Sequence, residues 1–251
     1  MKKLGLLGHP VSHSMSPKLF ADQFSKSGRL DLEYLAYDLP EISDFKTFTA
    51  NNPDIVALNV TIPHKESILP YLSEIDEEAK AIGAVNTLFK ADGKWKGYNT
   101  DGWGFRRSMQ PFLRGRHERA LIFGTGGAAK AVAYSLKLLG VACYFVSRTP
   151  DKKRDISNVI GFDELTPEAI KHHLLLINCT PLGMDPDRNG CVQIPWQGVG
   201  KNHLVVDLVY NPDVTTFMTR ALENGAEVMN GRDMLRLQAE KSWDIWLKNG
   251  L

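Results

Sequence analysis

Cysteine is scarce: Cys143, Cys179 and Cys191 are the 3 in 251 residues, odd in number and without a C-x-x-C spacing. This argues against a disulfide framework, offers no credible metal site, and fits reduced thiols in a cytoplasmic protein. Surplus charge is lacking as well. Lys+Arg number 30 and Asp+Glu 29, so global charge gives no case for a nucleic-acid or membrane partner. Arg106, Arg107, Arg114, Arg116 and Arg119 do cluster, but with poor aromatic interleaving, and they read as a solvated helix end and linker. No apolar run approaches the length of a membrane span. The apolar stretch after Lys2 and Lys3 is short and meets Gly8, His9 and Pro10, so it reads as a strand rather than a signal segment. Internal repeats and low-complexity segments are also missing.

What remains is an ordinary soluble composition, 43% hydrophobic and 24% charged, in a chain long enough for one or two domains. Strand-like and helix-like patterns alternate. Residues 2–8 read as a strand and 16–28 as a helix, with Ser16 as its cap, Pro17 in its first turn and Gly28 at its end. Residues 32–38 read as a strand, 41–52 as a helix and 55–61 as a buried strand. A second series starts near residue 119, with strands expected at 174–180 and 203–210 and a closing helix within 231–250. The alternation predicts α/β architecture with parallel strands. The domain boundary is expected within 101–118, where Pro111 and Gly115 break a charged stretch.

"LIFGTGGAAKAV" (121–132) is the most interpretable motif. Gly124, Gly126 and Ala129 fit G-x-G-x-x-[GA] between a strand and a helix. The first glycine permits the tight turn, the second lets a pyrophosphate approach the backbone, and the small third residue lets helix and strand pack closely. The helix start offers N–H groups and partial positive charge. An NAD site usually carries Asp or Glu about 20 residues on. Here the next strand ends in Ser147, Arg148 and Thr149, with Lys152 and Lys153 beyond. A guanidinium binds phosphate bidentately, so NADP(H) is the expected cofactor. The competing reading is a glycine-rich turn without a ligand.

The first half gathers polar residues at strand ends: Ser12, Ser14 and Ser16; Asn59, Thr61 and Lys65; Asn86 and Thr87; Asn99, Thr100 and Asp101. Ligands of open α/β sheets bind beyond the carboxyl ends of strands, and this set suits a small polyhydroxylated acid. Each residue also has a plain alternative. Ser16 and Asp101 can be helix caps, Asn86 can satisfy a turn, and Lys65 can be a solvated surface charge. His13 and His64 read as structural.

The chain resembles the shikimate dehydrogenase family from end to end, through "GHPVSHSMSP", "NVTIPHK", "GAVNT", "GYNTDGWGF", "GTGGAAKA", "SRT", "NCTPLGM", "DLVYNP" and "NGRDML..Q". The resemblance implies a substrate domain of residues 1–101 plus about 231–251, a Rossmann-like NADP domain of about 102–230, and a cleft between them. It implies Lys65 as catalytic acid or base paired with Asp101, and Ser14 and Ser16 on the substrate carboxylate. Asn59, Thr61, Asn86, Asp101 and Gln238 would contact ring hydroxyls or position Lys65, with Tyr210 bordering the substrate. Gly124, Thr125, Gly126, Gly127 and Ala128 would hold the pyrophosphate, and Ser147, Arg148, Thr149 and Lys152 the 2′-phosphate. Leu208 and Gly231 would lie near the nicotinamide, and Glu77 matches a position linked with the cofactor. The implied reaction is the reversible reduction of 3-dehydroshikimate to shikimate by NADPH, in aromatic amino acid biosynthesis, by a cytoplasmic monomer or homodimer. The sequence departs from the family in Ser147 for asparagine, Phe20 for histidine and Arg232 for leucine. The alternatives are a quinate or aminoshikimate enzyme with relaxed cofactor choice, a non-catalytic metabolite sensor, and a methylene-tetrahydrofolate-type dehydrogenase.

Overall fold

Apolar residues at alternate positions decide how the first sheet is buried. In β1 (Lys2–Gly8), Leu4 and Leu6 face one side and Leu7 the other, and all three are buried. The computed structural model describes residues 1–12, 14–152 and 157–251, and the side chain of Lys152 lies outside that description. The chain divides into two compact units, Met1–Trp103 with Arg236–Leu251, and Gly104–Leu235.

The first unit runs β1, α1 (Ser16–Lys26), β2 (Leu32–Asp38), α2 (Phe45–Asn51), β3 (Ile55–Val60), α3 (His64–Ser67), β4 (Glu74–Ile75), α4 (Glu77–Ile82), β5 (Thr87–Ala91), β6 (Lys94–Tyr98) and the start of α5 (Asp101–Met109). Its strand order is β2-β1-β3-β5-β6-β4. β1 pairs in parallel with β2 and β3, but β5 runs antiparallel to both β3 and β6. The sheet is therefore mixed, not parallel throughout as the alternating pattern predicted. The reason is local: β5 and β6 form a hairpin, closed at Asp92 and Gly93, both at positive φ. One face packs Leu4, Leu6, Ala57 and Phe89 against Phe20 and Phe24 of α1 and Trp243 and Trp246 of α9 (Arg232–Lys248). The other packs Leu7, Leu58, Val60 and Leu88 against Phe45, Ile68 and Trp95.

The second unit holds β7 (Arg119–Phe123), α6 (Gly127–Leu138), β8 (Ala142–Ser147), β9 (Val159–Gly161), α7 (Pro167–His172), β10 (Leu175–Asn178), β11 (Leu204–Asp207), α8 (Thr216–Glu223) and β12 (Glu227–Asn230). Its order, β12-β11-β10-β7-β8-β9, is parallel throughout. Successive residues supply opposite cores: Ala120, Ile122, Leu175, Ile177, Leu204 and Val206 one, Leu121, Phe123, Leu176 and Val205 the other. A parallel sheet buried on both faces needs such continuous apolar runs. The unit boundaries fall inside α5 and α9 rather than in a linker. Buried Phe105 and Met109 extend α5 into the charged stretch within 101–118. Among the described residues, no helix is long and apolar enough to cross a membrane.

Candidate active site

β3 ends at Val60, and one turn of helix, α3, follows with Lys65 as its second residue. Two bonds pin that turn. The Lys65 carbonyl accepts the Val85 N–H at 2.8 Å. The buried His64 ring sets its Nε2 2.6 Å from the Leu39 carbonyl oxygen, which makes His64 an anchor. Lys65 Nζ donates to Asp101 Oδ2 at 2.6 Å, and the two side chains are only 16% and 6% exposed. Lys65 is thus a mostly buried, paired cation, unlike a solvated surface charge.

Asp101 opens α5 without capping it. The cap is Asn99, whose Oδ1 accepts the Gly102 N–H at 3.1 Å. The Asp101 carboxylate therefore serves Lys65 and Asn86, whose Nδ2 donates to Oδ1 at 2.9 Å. The Thr100 N–H donates to Asn86 Oδ1 at 2.7 Å, which fixes which way the amide points. Gln238 of α9 reaches the same group, its Oε1 accepting from Asn86 Nδ2 at 3.3 Å and from Thr100 Oγ1 at 3.4 Å.

Asn59 lies beneath. Its Oδ1 accepts the Tyr34 hydroxyl at 2.8 Å, and its Nδ2 donates to the Asn86 carbonyl at 3.2 Å, Thr87 Oγ1 at 3.3 Å and Ser242 Oγ at 3.1 Å. Asn59 is buried, and both ends of its amide are engaged with protein. Burial pushes the Tyr34 phenol well above its usual pKa, and a hydrogen bond with Ser16 opposes this; Tyr34 thus stays a protonated donor. Ser16 is the first residue of α1, but it does not cap the helix: its own N–H donates to Ser14 Oγ at 3.2 Å. Thr61 is held between Leu7 and His64 by backbone bonds of 2.9 Å each. Glu77 opens α4 with its side chain 89% exposed and pairs with Lys80 at 2.5 Å. His13 lies outside the described residues.

The second unit presents a different surface. β7 ends at Phe123, and Gly124 adopts φ +106°, a conformation that favours glycine. Gly126 caps α6 in extended form, without a side-chain cap or an acid in the first turn. A Cβ built on Gly126 meets nothing within 4 Å. The Gly126 backbone is thus bare on that side, which suits a phosphate at the helix start. This turn lies where the strand order reverses, between β7 and β10, which is where dinucleotides bind in this topology. At the end of β8, Ser147 Oγ accepts the Thr149 N–H at 3.1 Å. The hydroxyl fixes the turn, and Arg148 and Thr149 are exposed on it. Lys152 ends a short 3₁₀ turn, Pro150–Lys152, and Lys153 lies outside the described residues.

Leu208 and Gly231 are neighbours: a Cβ on Gly231 would overlap the Leu208 carbonyl, and the Gly231 N–H donates to the Val209 carbonyl at 3.2 Å. Tyr210 follows in the same loop. Arg232, an unexplained charge in the sequence, pairs with Asp213. Asn230 Nδ2 donates to the Asp213 carbonyl at 3.0 Å, so Arg232 and Asn230 together tie down the loop after β11. Asp207 holds that loop's base, accepting from Asn178 Nδ2 at 2.9 Å, Thr215 Oγ1 at 2.6 Å and the Val209 N–H at 3.0 Å. Burial raises its carboxyl to about 6 against the lowering effect of those three bonds. Burial also raises the thiols of Cys143, Cys179 and Cys191, which makes them inert rather than nucleophilic.

The model of the shikimate dehydrogenase substrate-binding domain matches residues 6–88. The NADP(+) shikimate dehydrogenase of Methanococcus maripaludis is 38% identical over 98% of this chain and 91% of its own length. The chain belongs to the shikimate dehydrogenase family. Among solved structures, the Aquifex aeolicus shikimate dehydrogenase superposes with a TM-score of 0.87 at 31% identity, covering 98% of this chain and 92% of that one. The Thermus thermophilus enzyme in complex with NADP(H) and shikimate gives 0.86 at 31%, covering 99% and 94%. The motif reading missed Tyr34, Ser242, Asn178, Asp207 and Thr215. Asn178 and Asp207 stood inside "NCTPLGM" and "DLVYNP", each a polar residue at the end of an apolar run, which was the available signal.

Proposed function

We propose that the protein is an NADP-dependent shikimate dehydrogenase, catalysing the reversible reduction of 3-dehydroshikimate to shikimate in aromatic amino acid biosynthesis. The observation that carries this reading is the Lys65–Asp101 pair, 2.6 Å apart and shielded from water among amide and hydroxyl side chains. The supporting fit for the cofactor is the open, uncapped N-terminus of α6 behind Gly124. Gly124, Thr125, Gly126, Gly127 and Ala128 would hold the pyrophosphate, Ser147, Arg148, Thr149 and Lys152 the 2′-phosphate, and Leu208 and Gly231 the nicotinamide end. NADPH, when bound, supplies the hydride.

Lys65 then acts on the oxygen. In reduction its ammonium stabilises the charge growing there and donates the proton; in oxidation its amine takes the hydroxyl proton. Asp101 holds Nζ in place, and Asn86 holds Asp101. Ser14 and Ser16 are assigned to the substrate carboxylate, and Thr61 and Gln238 to its hydroxyls. We further infer a cytoplasmic enzyme, monomeric or homodimeric, with no nucleic-acid or membrane partner. The test is absorbance at 340 nm, crossing shikimate and quinate with NADP⁺ and NAD⁺. Shikimate with NADP⁺ is expected to give the highest kcat/KM; preference for quinate or for NAD⁺ overturns the corresponding half.

A further inference from the structure

α9 brings two side chains to the polar group beneath Asp101. Gln238 has a role in the function proposed above; Ser242, one turn further on, has none. Its hydroxyl is completely buried. It lies 2.8 Å from Thr87 Oγ1 and 3.2 Å from Thr100 Oγ1, accepts from Asn59 Nδ2 at 3.1 Å, and donates to the Gln238 carbonyl at 2.9 Å. A hydroxyl has one proton and two lone pairs, so these partners saturate it.

Helix formation does not explain this serine. Alanine is the better helix former, and a hydroxyl turned back on the i−4 carbonyl weakens a helix slightly. The flanking side chains on this face, Ala239, Trp243 and Trp246, are apolar and buried. The hydroxyl's partners lead instead to the reacting pair. Thr87 Oγ1 and Thr100 Oγ1 lie 3.1 and 3.2 Å from Asn86 Oδ1, and Asn86 Nδ2 holds Asp101.

We propose that Ser242 is a positioning residue: it ties α9 to Thr87 and Thr100, and so keeps Gln238, Asn86 and the Lys65–Asp101 pair in working register. This rests on the shikimate dehydrogenase reading. Ser242 touches neither substrate nor cofactor in it and acts through Gln238 and Asn86.

The test uses the full-length enzyme with Ser242→Ala and Ser242→Cys, the latter nearly conserving volume while losing the strong hydrogen bond. Both are expected to raise KM for shikimate about fivefold or more, with the Kd for NADPH, read by fluorescence titration, unchanged. In a Gln238→Ala background, Ser242→Ala should add less than its effect alone, because the two act as a unit. Wild-type KM in both variants overturns the proposal. So does an equal loss of NADPH and shikimate affinity, full additivity with Gln238→Ala, or failure of both variants to fold, each of which marks a merely structural serine. Absence of shikimate turnover in the wild-type enzyme sinks the functional reading itself; normal wild-type turnover with unaltered variants sinks only the role of Ser242.

Discussion

Lys65 and Asp101 are each removed from an ordinary surface role by one neighbour. Asn99 takes over the cap of α5, which leaves the Asp101 carboxylate for Lys65 and Asn86. His64, wedged against the Leu39 carbonyl, fixes the turn that aims Lys65. Lys65→Met keeps the stem and removes the charge, so it deletes both proton transfer and oxyanion stabilisation. It is expected to lower kcat by about 10³-fold, with the Kd for NADPH nearly unchanged by fluorescence titration. Turnover within a few fold of wild type would remove Lys65 from the mechanism. The variant also leaves Asp101 short of its cation, an arrangement that costs about 3–5 kcal/mol when one partner of a buried pair is lost. Asn86 remains on Asp101 and softens this, so folding should be checked in the same sample by circular dichroism.

At the scale of elements, the loop after β11 is tied at several points. Asp207 accepts three hydrogen bonds at its base, and Gly231 lets β12 turn into α9 directly against Leu208. Gly231→Ala would drive a methyl group into the Leu208 carbonyl. We expect a loss of about 1–3 kcal/mol in urea melts together with weaker NADPH binding. Unchanged affinity would separate this loop from the nicotinamide. The Asp207 carboxyl titrates near 6 in the fold against 3.8 in the free group. A raised carboxyl binds its proton more tightly in the folded state, so its contribution is full below about pH 4 and is lost as pH rises through about 6. A shift of roughly two units corresponds to about 3 kcal/mol. Stability of the wild type relative to Asp207→Asn should therefore fall between about pH 4 and pH 7 and level off above, as read from urea midpoints. A difference flat across that range would show that Asp207 does not titrate there.

On the scale of the molecule, the first unit is discontinuous: it is completed by Arg236–Leu251. Trp246 is fully buried, packs against the Phe20 ring at a centroid distance of 5.1 Å, and donates its indole N–H to the Leu88 carbonyl at 3.0 Å. Losing one such tryptophan costs about 3–5 kcal/mol, a large part of a domain's net stability. A chain truncated after Leu235 also loses Gln238, Ser242 and Trp243. It is expected to lose near-ultraviolet circular dichroism from the first unit and all shikimate turnover, while the second unit still binds NADPH. Retained turnover would show that the first unit closes its core without α9.

Much of this was legible in the residue string, because it is local. Period-two and continuous apolar runs marked the strands, and Gly124 with Gly126 marked the phosphate turn. The pairing of Lys65 with Asp101 came from the family resemblance carried by "NVTIPHK" and "GYNTDG", since the residues alone also allowed a surface charge and a helix cap. Caps were less legible: Ser14 rather than Ser16 receives the first N–H of α1, and Asn99 rather than Asp101 caps α5, since sequence offered two side chains of the right type within reach of each helix start. The antiparallel placement of β5 and the helical continuity of α5 and α9 across the unit boundaries depend on packing partners far along the chain. The network under the site lies furthest from sequence. Tyr34 and Ser242 carry no motif, and the Asn59–Ser242 bond spans 183 positions. Sequence determined which residue types stand at each strand end. Only the folded chain decided which of them share a hydrogen bond, because that depends on burial, which makes a buried amide or hydroxyl find a partner wherever the fold supplies one.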